Sequence, residues 1–303
     1  MSFPLSVIVV SYNMARELPR TLRSLSPPMQ SGVDRADYEL IVVDNGSTQP
    51  FPEAECRKWA PDMILHRMAD AHPSPVRAAN RGLEAARGDL VCLCIDGARM
   101  ASPGLLAAAL AASRLHDWPV IGTLAFHLGP KLQQKSMAEG YNQLVEDELL
   151  AGSGWELDGY RLFEISVFAA SSAQGWFVLP SESNAIFLRS AHWKTLGGLD
   201  PGFVTPGGGL VNLDIWARAC GDPMGQVIML LGEATFHQFH GGVSTNSLNP
   251  PSLDFRAEYL SLRGKPFVRP DADIRHFGRL NRPALDSIRR SLDMWADWPH
   301  SSR

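Results

Sequence analysis

The strongest constraint on this chain is the way short apolar runs alternate with helical stretches between residues 5 and 128. Leu5 to Tyr12 (LSVIVVSY) and Tyr38 to Asp44 (YELIVVD) are apolar at nearly every position, the pattern of strands covered on both faces. Met63 to Arg67 predicts a short further strand, and Asp89 to Ile95 and Val120 to Leu128 predict two more. Between them lie helical segments near Ala15–Leu25, Val76–Arg87 and Gly104–Leu115. The first ends at Pro27-Pro28, the second stops at Gly88, and Pro103 opens the third. Such alternation predicts an α/β fold, a Rossmann-like and mostly parallel central sheet with helices on both faces. Ligands of such sheets bind outside the carboxyl ends of the strands. Ser11, Asn13, Asp44, Asn45 and Asp96 all fall at such ends.

The second half is less regular. Residues 129–175 carry few strand signals but include Trp155 and Tyr160, with Trp176 next in the chain. Asn184–Leu188 reads as a strand and Ser190–Leu196 as a helix stopped by Gly197-Gly198. Pro206-Gly207-Gly208-Gly209 reads as a flexible loop entering a helix over Asn212–Cys220. Val227–Leu231 is a strand leading into Thr235–His240, and a last helix covers about Pro283–Trp295. We therefore expect one domain over 1–245, with an insertion at 129–180, and a C-terminal extension over 246–303.

A chain of 303 residues with 45% apolar and 20% charged residues can bury a full core. Its formal charge of −4 argues against nucleic acid as a partner, so a bound anion must be met by local groups. The cysteines Cys56, Cys92, Cys94 and Cys220 form no Cys-x-x-Cys pair and read as buried reduced thiols. The start lacks the charged region and cleavage site of a secretory signal, and the apolar stretch Leu105–Ala112 is too short to span a bilayer. These features point to a cytoplasmic protein and leave peripheral membrane association open.

Asp44 and Asp96 each end a buried strand, where a carboxylate emerges at a pocket rim; either could equally serve a turn. His237 and His240 stand i, i+3 in a glycine-bounded segment. With one carboxylate they would form a partial cation site, and otherwise they are half-buried loop histidines. Arg77, Arg81 and Arg99 flank the same sheet end and could neutralise a diphosphate. No Walker loop, Gly-x-Gly-x-x-Gly, His-Glu-x-x-His or Gly-x-Ser-x-Gly element occurs, which removes the common hydrolase and dehydrogenase readings.

Ser6-Val-Ile-Val-Val-Ser-Tyr-Asn13 followed by Tyr38-Glu-Leu-Ile-Val-Val-Asp-Asn-Gly-Ser47 resembles the opening of family 2 glycosyltransferases of the GT-A fold. Ala78 to Asp89 and the strand to Asp96 continue the likeness. Ser183–Arg189 and Leu196–Asp200 resemble the family's acceptor-side segment, and Gly207–Arg218 its second catalytic segment. The resemblance covers about residues 4–245. It implies that Ser11, Asn13, Asp44 and Asn45 line the nucleotide pocket, Asp44 reading the base. It further implies that Arg77 and Asn80 lie near ribose and phosphates, and that Asp96 opens the metal motif beside Arg99. His240, or else His237, would complete the site for a divalent cation, Mn²⁺ or Mg²⁺.

Two positions depart from the family. Ala98 replaces the second carboxylate of the Asp-x-Asp motif, and Val211-Asn212 replaces the Glu-Asp pair that supplies the base in inverting members. Asn212-Leu-Asp-Ile also resembles a segment of the retaining polypeptide N-acetylgalactosaminyltransferases, so the stereochemistry stays open. Asp214 is the first choice for a catalytic carboxylate, ahead of Glu182 and Asp200; as a structural residue it would be a charge at a helix N-terminus. Trp155, Trp176 and Trp216 are expected to offer a stacking platform to the acceptor, or else to fill the core. The expected activity is transfer of a sugar from a nucleoside diphosphate donor, for example a UDP-sugar, to a hydroxyl of a glycan or small-molecule acceptor. The alternative is a nucleotide-sugar-binding protein that has lost transfer.

Overall fold

The computed structural model describes residues 3–242 and 251–298. In chain order the first half gives β1 (Leu5–Ser11), α1 (Leu18–Ser24), β2 (Tyr38–Asp44), α2 (Glu53–Trp59), β3 (Ile64–Arg67), α3 (Val76–Ala85), β4 (Leu90–Cys94), β5 (Arg99–Ala101), α4 (Leu105–Ala112) and β6 (Pro119–Leu128). The second gives α5 (Gln133–Ala138), α6 (Gln143–Ser153), β7 (Ser166–Phe168), β8 (Ile186–Arg189), α7 (Ser190–Leu196), α8 (Val211–Cys220), β9 (Gln226–His237), α9 (Ser252–Arg263), β10 (Ile274–Gly278) and α10 (Leu285–Ala296).

All of these strands join one sheet. Its order is β10-β9-β6-β8-β4-β1-β2-β3, with β5 paired to β9 and β7 to β6. The β1–β2, β1–β4, β2–β3, β6–β9 and β9–β10 pairs are parallel, while β8 runs antiparallel to both β4 and β6. Because side chains alternate along a strand, the apolar runs feed two cores. Ile8, Val10, Ile41 and Val43 pack with α3 residues on one face. Leu5, Val7, Val9, Leu40 and Val42 pack with α1, α2 and α4 on the other. Cys92 and Cys94 share that second face as buried free thiols.

Several expectations change. Helix α1 starts three residues later than Ala15. Strand β9 is continuous from Gln226 to His237 rather than broken after Leu231, with a bulge where β6 shifts register between Gly122 and Leu124. The 129–180 stretch holds α5, α6 and β7. Beyond residue 250, β10 adds to the sheet as an edge strand beside β9, so this stretch shares the sheet of the preceding part. The expected boundary at 245 lies outside the described residues. Among the described residues no helix is long and apolar enough to cross a membrane.

Candidate active site

The carboxyl ends of β1, β2 and β4 open into a cavity of about 780 Å³. Residues after β1 and β2 form one side. Asn13 takes a left-handed backbone (φ 52°), which costs a non-glycine residue on the order of 1 kcal/mol. Its side chain offsets this by clamping the loop after β2: Oδ1 accepts from Thr48 N at 2.9 Å and Gln49 N at 3.0 Å, while Nδ2 donates to Thr48 Oγ1 at 3.0 Å. Asn45, 4% exposed, donates Nδ2 to His72 O at 2.8 Å, and its buried Oδ1 has no hydrogen-bond partner within the protein. Ser11, Tyr12 and His72 complete this side.

Asp96 follows β4 and faces the histidines at the end of β9. Its Oδ1 accepts from Ala98 N at 2.9 Å, the short turn for which Ala98 supplies backbone alone. Its Oδ2 lies 3.0 Å from His237 Nε2 and 3.7 Å from His240 Nε2. The two imidazole Nε2 atoms are 3.1 Å apart. Burial acts to raise Asp96, but His240, His237 and Arg99 together outweigh it and hold its carboxyl well below the usual range. Burial drives His237 the other way, down to about 4, with Arg99 adding to the effect.

The tautomer of His237 follows from Gln133 on α5. The Gln133 amide donates Nε2 to His237 O at 2.9 Å, which turns Oε1 toward His237 Nδ1 at 2.7 Å. Nδ1 is thus the nitrogen that donates to Gln133, and Nε2 is the nitrogen turned toward Asp96 and His240, where it would serve as the ligand when a cation is bound. A carboxylate and two imidazoles thus converge with ligand atoms within 4.8 Å of one another. Oxygen and nitrogen donors in this number suit a divalent cation such as Mn²⁺, and a His237 ring held through Nδ1 by Gln133 is the kind of oriented imidazole that a cation ligand requires.

Arg99, the first residue of β5, lines the same cavity at 7% exposure. Its Nε approaches Asp96 Oδ2 at 3.5 Å, too long for a hydrogen bond, and its Nε and Nη1 have no hydrogen-bond partner. Buried N–H groups of a guanidinium cost free energy until an acceptor meets them, so this corner of the cavity is prepared for an anion. Across the cavity stands Glu182, whose Oε2 accepts from Asn212 Nδ2 at 2.8 Å. Among the described residues, Asp96 and Glu182 are the carboxylates that line the cavity.

Other expected site residues are placed elsewhere. Asp44 Oδ1 accepts from Ser47 N and Oγ at 3.1 and 2.6 Å, and Asn45 rather than Asp44 is among the residues that line the cavity. Arg77 is exposed on α3 outside the cavity lining. Asn80 is tied through both amide atoms to the backbone of Leu199. Asp214 is 1% exposed and locked between guanidiniums. Arg263 donates Nε to its Oδ1 at 2.6 Å and Nη2 to its Oδ2 at 2.7 Å, and Arg218 Nε donates to Oδ2 at 2.8 Å. Asp200 accepts from Gly202 N and from the same Arg263; the Gly202 amide first, then Arg263, keep its carboxyl below the usual range. Neither carboxylate is placed to take a proton from a substrate.

The three tryptophans are core residues. Trp155, Trp176 and Trp216 are 3%, 0% and 0% exposed, so none presents a face to an acceptor. Trp216 packs against Gly122 of β6, where an added Cβ would come within 2.4 Å of Cη2. Its indole N–H donates to Pro180 O at 3.0 Å.

Gln133, Tyr12, His72 and Glu146 were not anticipated. For Glu146 a signal existed: on α6 it shares a buried stripe with Leu150 and Ser153 at i, i+4 and i+7.

Residues 6–112 match the family model described as glycosyl transferase family 2. Over 85 residues the chain is 34% identical to Glycosyltransferase AglD of Haloferax volcanii, covering 28% of this chain and 14% of AglD. The chain thus spans about one seventh of the curated relative it matches. TarS 1–349 of S. aureus superposes with a TM-score of 0.53 at 16% identity, covering 98% of this chain and 73% of that one. In complex with UDP-GlcNAc the same protein gives 0.52 at 16% identity, covering 84% and 66%. GalNAc-T7 with UDP, GalNAc and Mn²⁺ gives 0.52 at 13% identity, covering 81% and 47%. At these identities the structural likeness is one of fold. The chain therefore has the GT-A fold seen in these glycosyltransferases, with its residues 6–112 similar to glycosyl transferase family 2.

Proposed function

We propose that this chain transfers a sugar from a UDP-linked donor to a hydroxyl of a glycan or small-molecule acceptor, with a divalent cation, Mn²⁺ or Mg²⁺, bound at Asp96, His237 and His240. The observation that carries this reading is the meeting of that ligand set, at the sheet end of one cavity, with a buried Arg99 guanidinium whose Nε and Nη1 lack hydrogen-bond partners. TarS in complex with UDP-GlcNAc and GalNAc-T7 with UDP and Mn²⁺ share the fold, which supports the choice of UDP.

In this reading the nucleoside lies among Tyr12, Asn13, Asn45 and His72, and the diphosphate lies against Arg99. The cation supplies positive charge where the diphosphate departs. Arg99 adds a fixed charge that needs no reorganisation. Glu182 is the base, oriented by Asn212, which stands where inverting family members carry a carboxylate. The acceptor oxygen bonds to the anomeric carbon as the bond from that carbon to the diphosphate oxygen breaks. The electron pair leaves with the diphosphate and the acceptor proton passes to Glu182. This single displacement inverts the anomeric centre.

Titration calorimetry with UDP and with GDP, each with and without Mn²⁺, tests the reading. We expect UDP to bind, Mn²⁺ to tighten it, and Asp96→Ala to abolish that tightening. Absence of nucleotide binding under all conditions sinks the proposal. Nucleotide binding without turnover of UDP-sugars, alone or with an acceptor panel, favours a binding protein that lacks transfer.

A further inference from the structure

His237 and His240 do not sit on one regular element. Strand β9 ends at His237, and the chain then turns through Gln238 and Phe239 in irregular backbone. A buried irregular segment must find partners for its N–H and C=O groups outside any ladder. Gln238 N donates to Ala98 O at 2.8 Å. Side chains supply the other anchors. Gln133 Nε2 donates to His237 O at 2.9 Å. Phe239 N donates to both oxygens of Glu146, each at 2.9 Å. Arg16 Nη1 donates to Phe239 O at 3.1 Å and to Glu146 Oε1 at 3.3 Å. The peptide groups on either side of Phe239 are thus gripped by an ion pair whose carboxylate is fully buried.

Gln133 and Glu146 both belong to the 129–180 segment, on α5 and α6. They reach the backbone that carries the two imidazoles, and Gln133 also engages Nδ1 of His237, which turns Nε2 toward Asp96 and His240. We infer that this segment preorganises the cation centre: Gln133 and Glu146 are positioning residues for His237 and His240, Glu146 acting through Phe239 with Arg16 as its counter-charge. This rests on the cation reading proposed above. It assigns the segment a role separate from shaping the acceptor side. Partners in the second layer of a metal site commonly set ligand affinity by roughly tenfold to a hundredfold.

The test uses the full chain with UDP present. Mn²⁺ affinity is measured by paramagnetic resonance of free Mn²⁺ for the wild type, Asp96→Ala, Glu146→Gln and Gln133→Met. The His237 tautomer is read by ¹⁵N NMR in the metal-free protein. We expect Glu146→Gln and Gln133→Met each to weaken Mn²⁺ about tenfold or more, with UDP binding in chelator unchanged. Gln133→Met should also turn His237 from the Nδ1–H form to a mixture. If Glu146→Gln unfolds, Gln133→Met carries the test alone, because it leaves the Arg16–Glu146 pair in place. Wild-type Mn²⁺ affinity and an unchanged tautomer in a folded Gln133→Met overturn the inference and leave the cation reading standing. Failure of the wild type to bind Mn²⁺ with UDP, or equal binding by Asp96→Ala, overturns the cation reading itself and this inference with it.

Discussion

Asn212 on α8 donates its side-chain amide to Glu182 across 2.8 Å, and to Ser183 O at 3.2 Å. The first bond holds the Glu182 carboxylate at the cavity wall with one oxygen engaged. The carboxylate and the amide that orients it stand thirty residues apart in sequence.

That arrangement makes Glu182 the residue whose loss should be felt in the chemical step. Glu182→Gln should lower kcat by roughly 10²–10⁴, the usual contribution of a general base, with little change in UDP binding. Steady-state kinetics alongside calorimetry check it, and the anomer formed, read by NMR, should be inverted. Undiminished kcat in Glu182→Gln would remove the base assignment.

Arg99 should act on the diphosphate rather than on the base or sugar. Arg99→Met keeps much of the volume and removes the charge. Hydrogen bonds to charged groups contribute about 1.5–3 kcal/mol, so UDP affinity should fall roughly tenfold to a hundredfold, while uridine affinity stays level. Equal losses for UDP and uridine would place Arg99 in the packing rather than in anion binding.

Asp214 should prove a stability residue. Removing its charge leaves Arg263 and Arg218, about a quarter exposed, without their shared partner. Breaking a buried pair costs about 3–5 kcal/mol; with partners this exposed, on the order of 2–3 kcal/mol is expected for Asp214→Asn. Urea denaturation gives the number, and kcat of the protein that remains folded should be near normal.

Acid should unfold the metal-free protein well above the carboxylate range. Burial lowers His127, His192 and His237 below the ordinary histidine value, His237 to about 4. The unfolded chain then binds more protons than the folded one as pH drops below about 6.5. Stability is fully present above that value and is lost as pH falls toward the folded-state values. Each histidine adds up to about 1.4 kcal/mol per pH unit within its window. His192 lies away from the cavity, hydrogen-bonded to Asp222 at 2.9 Å. His192→Gln should therefore make the fall shallower by up to one proton without touching nucleotide binding. Urea midpoints at pH 7.5, 6 and 5 in the presence of chelator measure the slope.

The parts of this fold that are legible in the sequence are those whose signal is local. The apolar runs of β1, β2 and β4 announce buried parallel strands, and their polar ends lead directly to Ser11, Asn45 and Asp96. The close spacing of His237 and His240 is also readable, and the structure brings both to Asp96. What stays hidden depends on distant partners. Strand β5 has three residues and exists because Arg99–Ala101 pairs with His237–Thr235 of β9. Asp214 looks like a helix-start carboxylate until Arg263, 49 residues on, closes over it. Trp216 could stack on a sugar as far as its side chain alone tells; Gly122, which makes room for it in the core, lies in another strand. Glu146 is marked by its place on the buried stripe of α6, yet nothing near it in sequence names Phe239 as its partner.

The strand order has a temporal consequence. One wall of the cavity is written in the first quarter of the chain, at Ser11, Asn45 and His72, whereas the two imidazoles come from the last residue of β9 and the turn that follows it. Strand β9 lies inside the sheet, between β6 and β10, so its outer edge is covered only when Ile274–Gly278 arrives. A growing polypeptide on the ribosome therefore completes the two halves of its pocket at different times. The wall that follows β1 and β2 can form early, and the corner that holds the two imidazoles is assembled last.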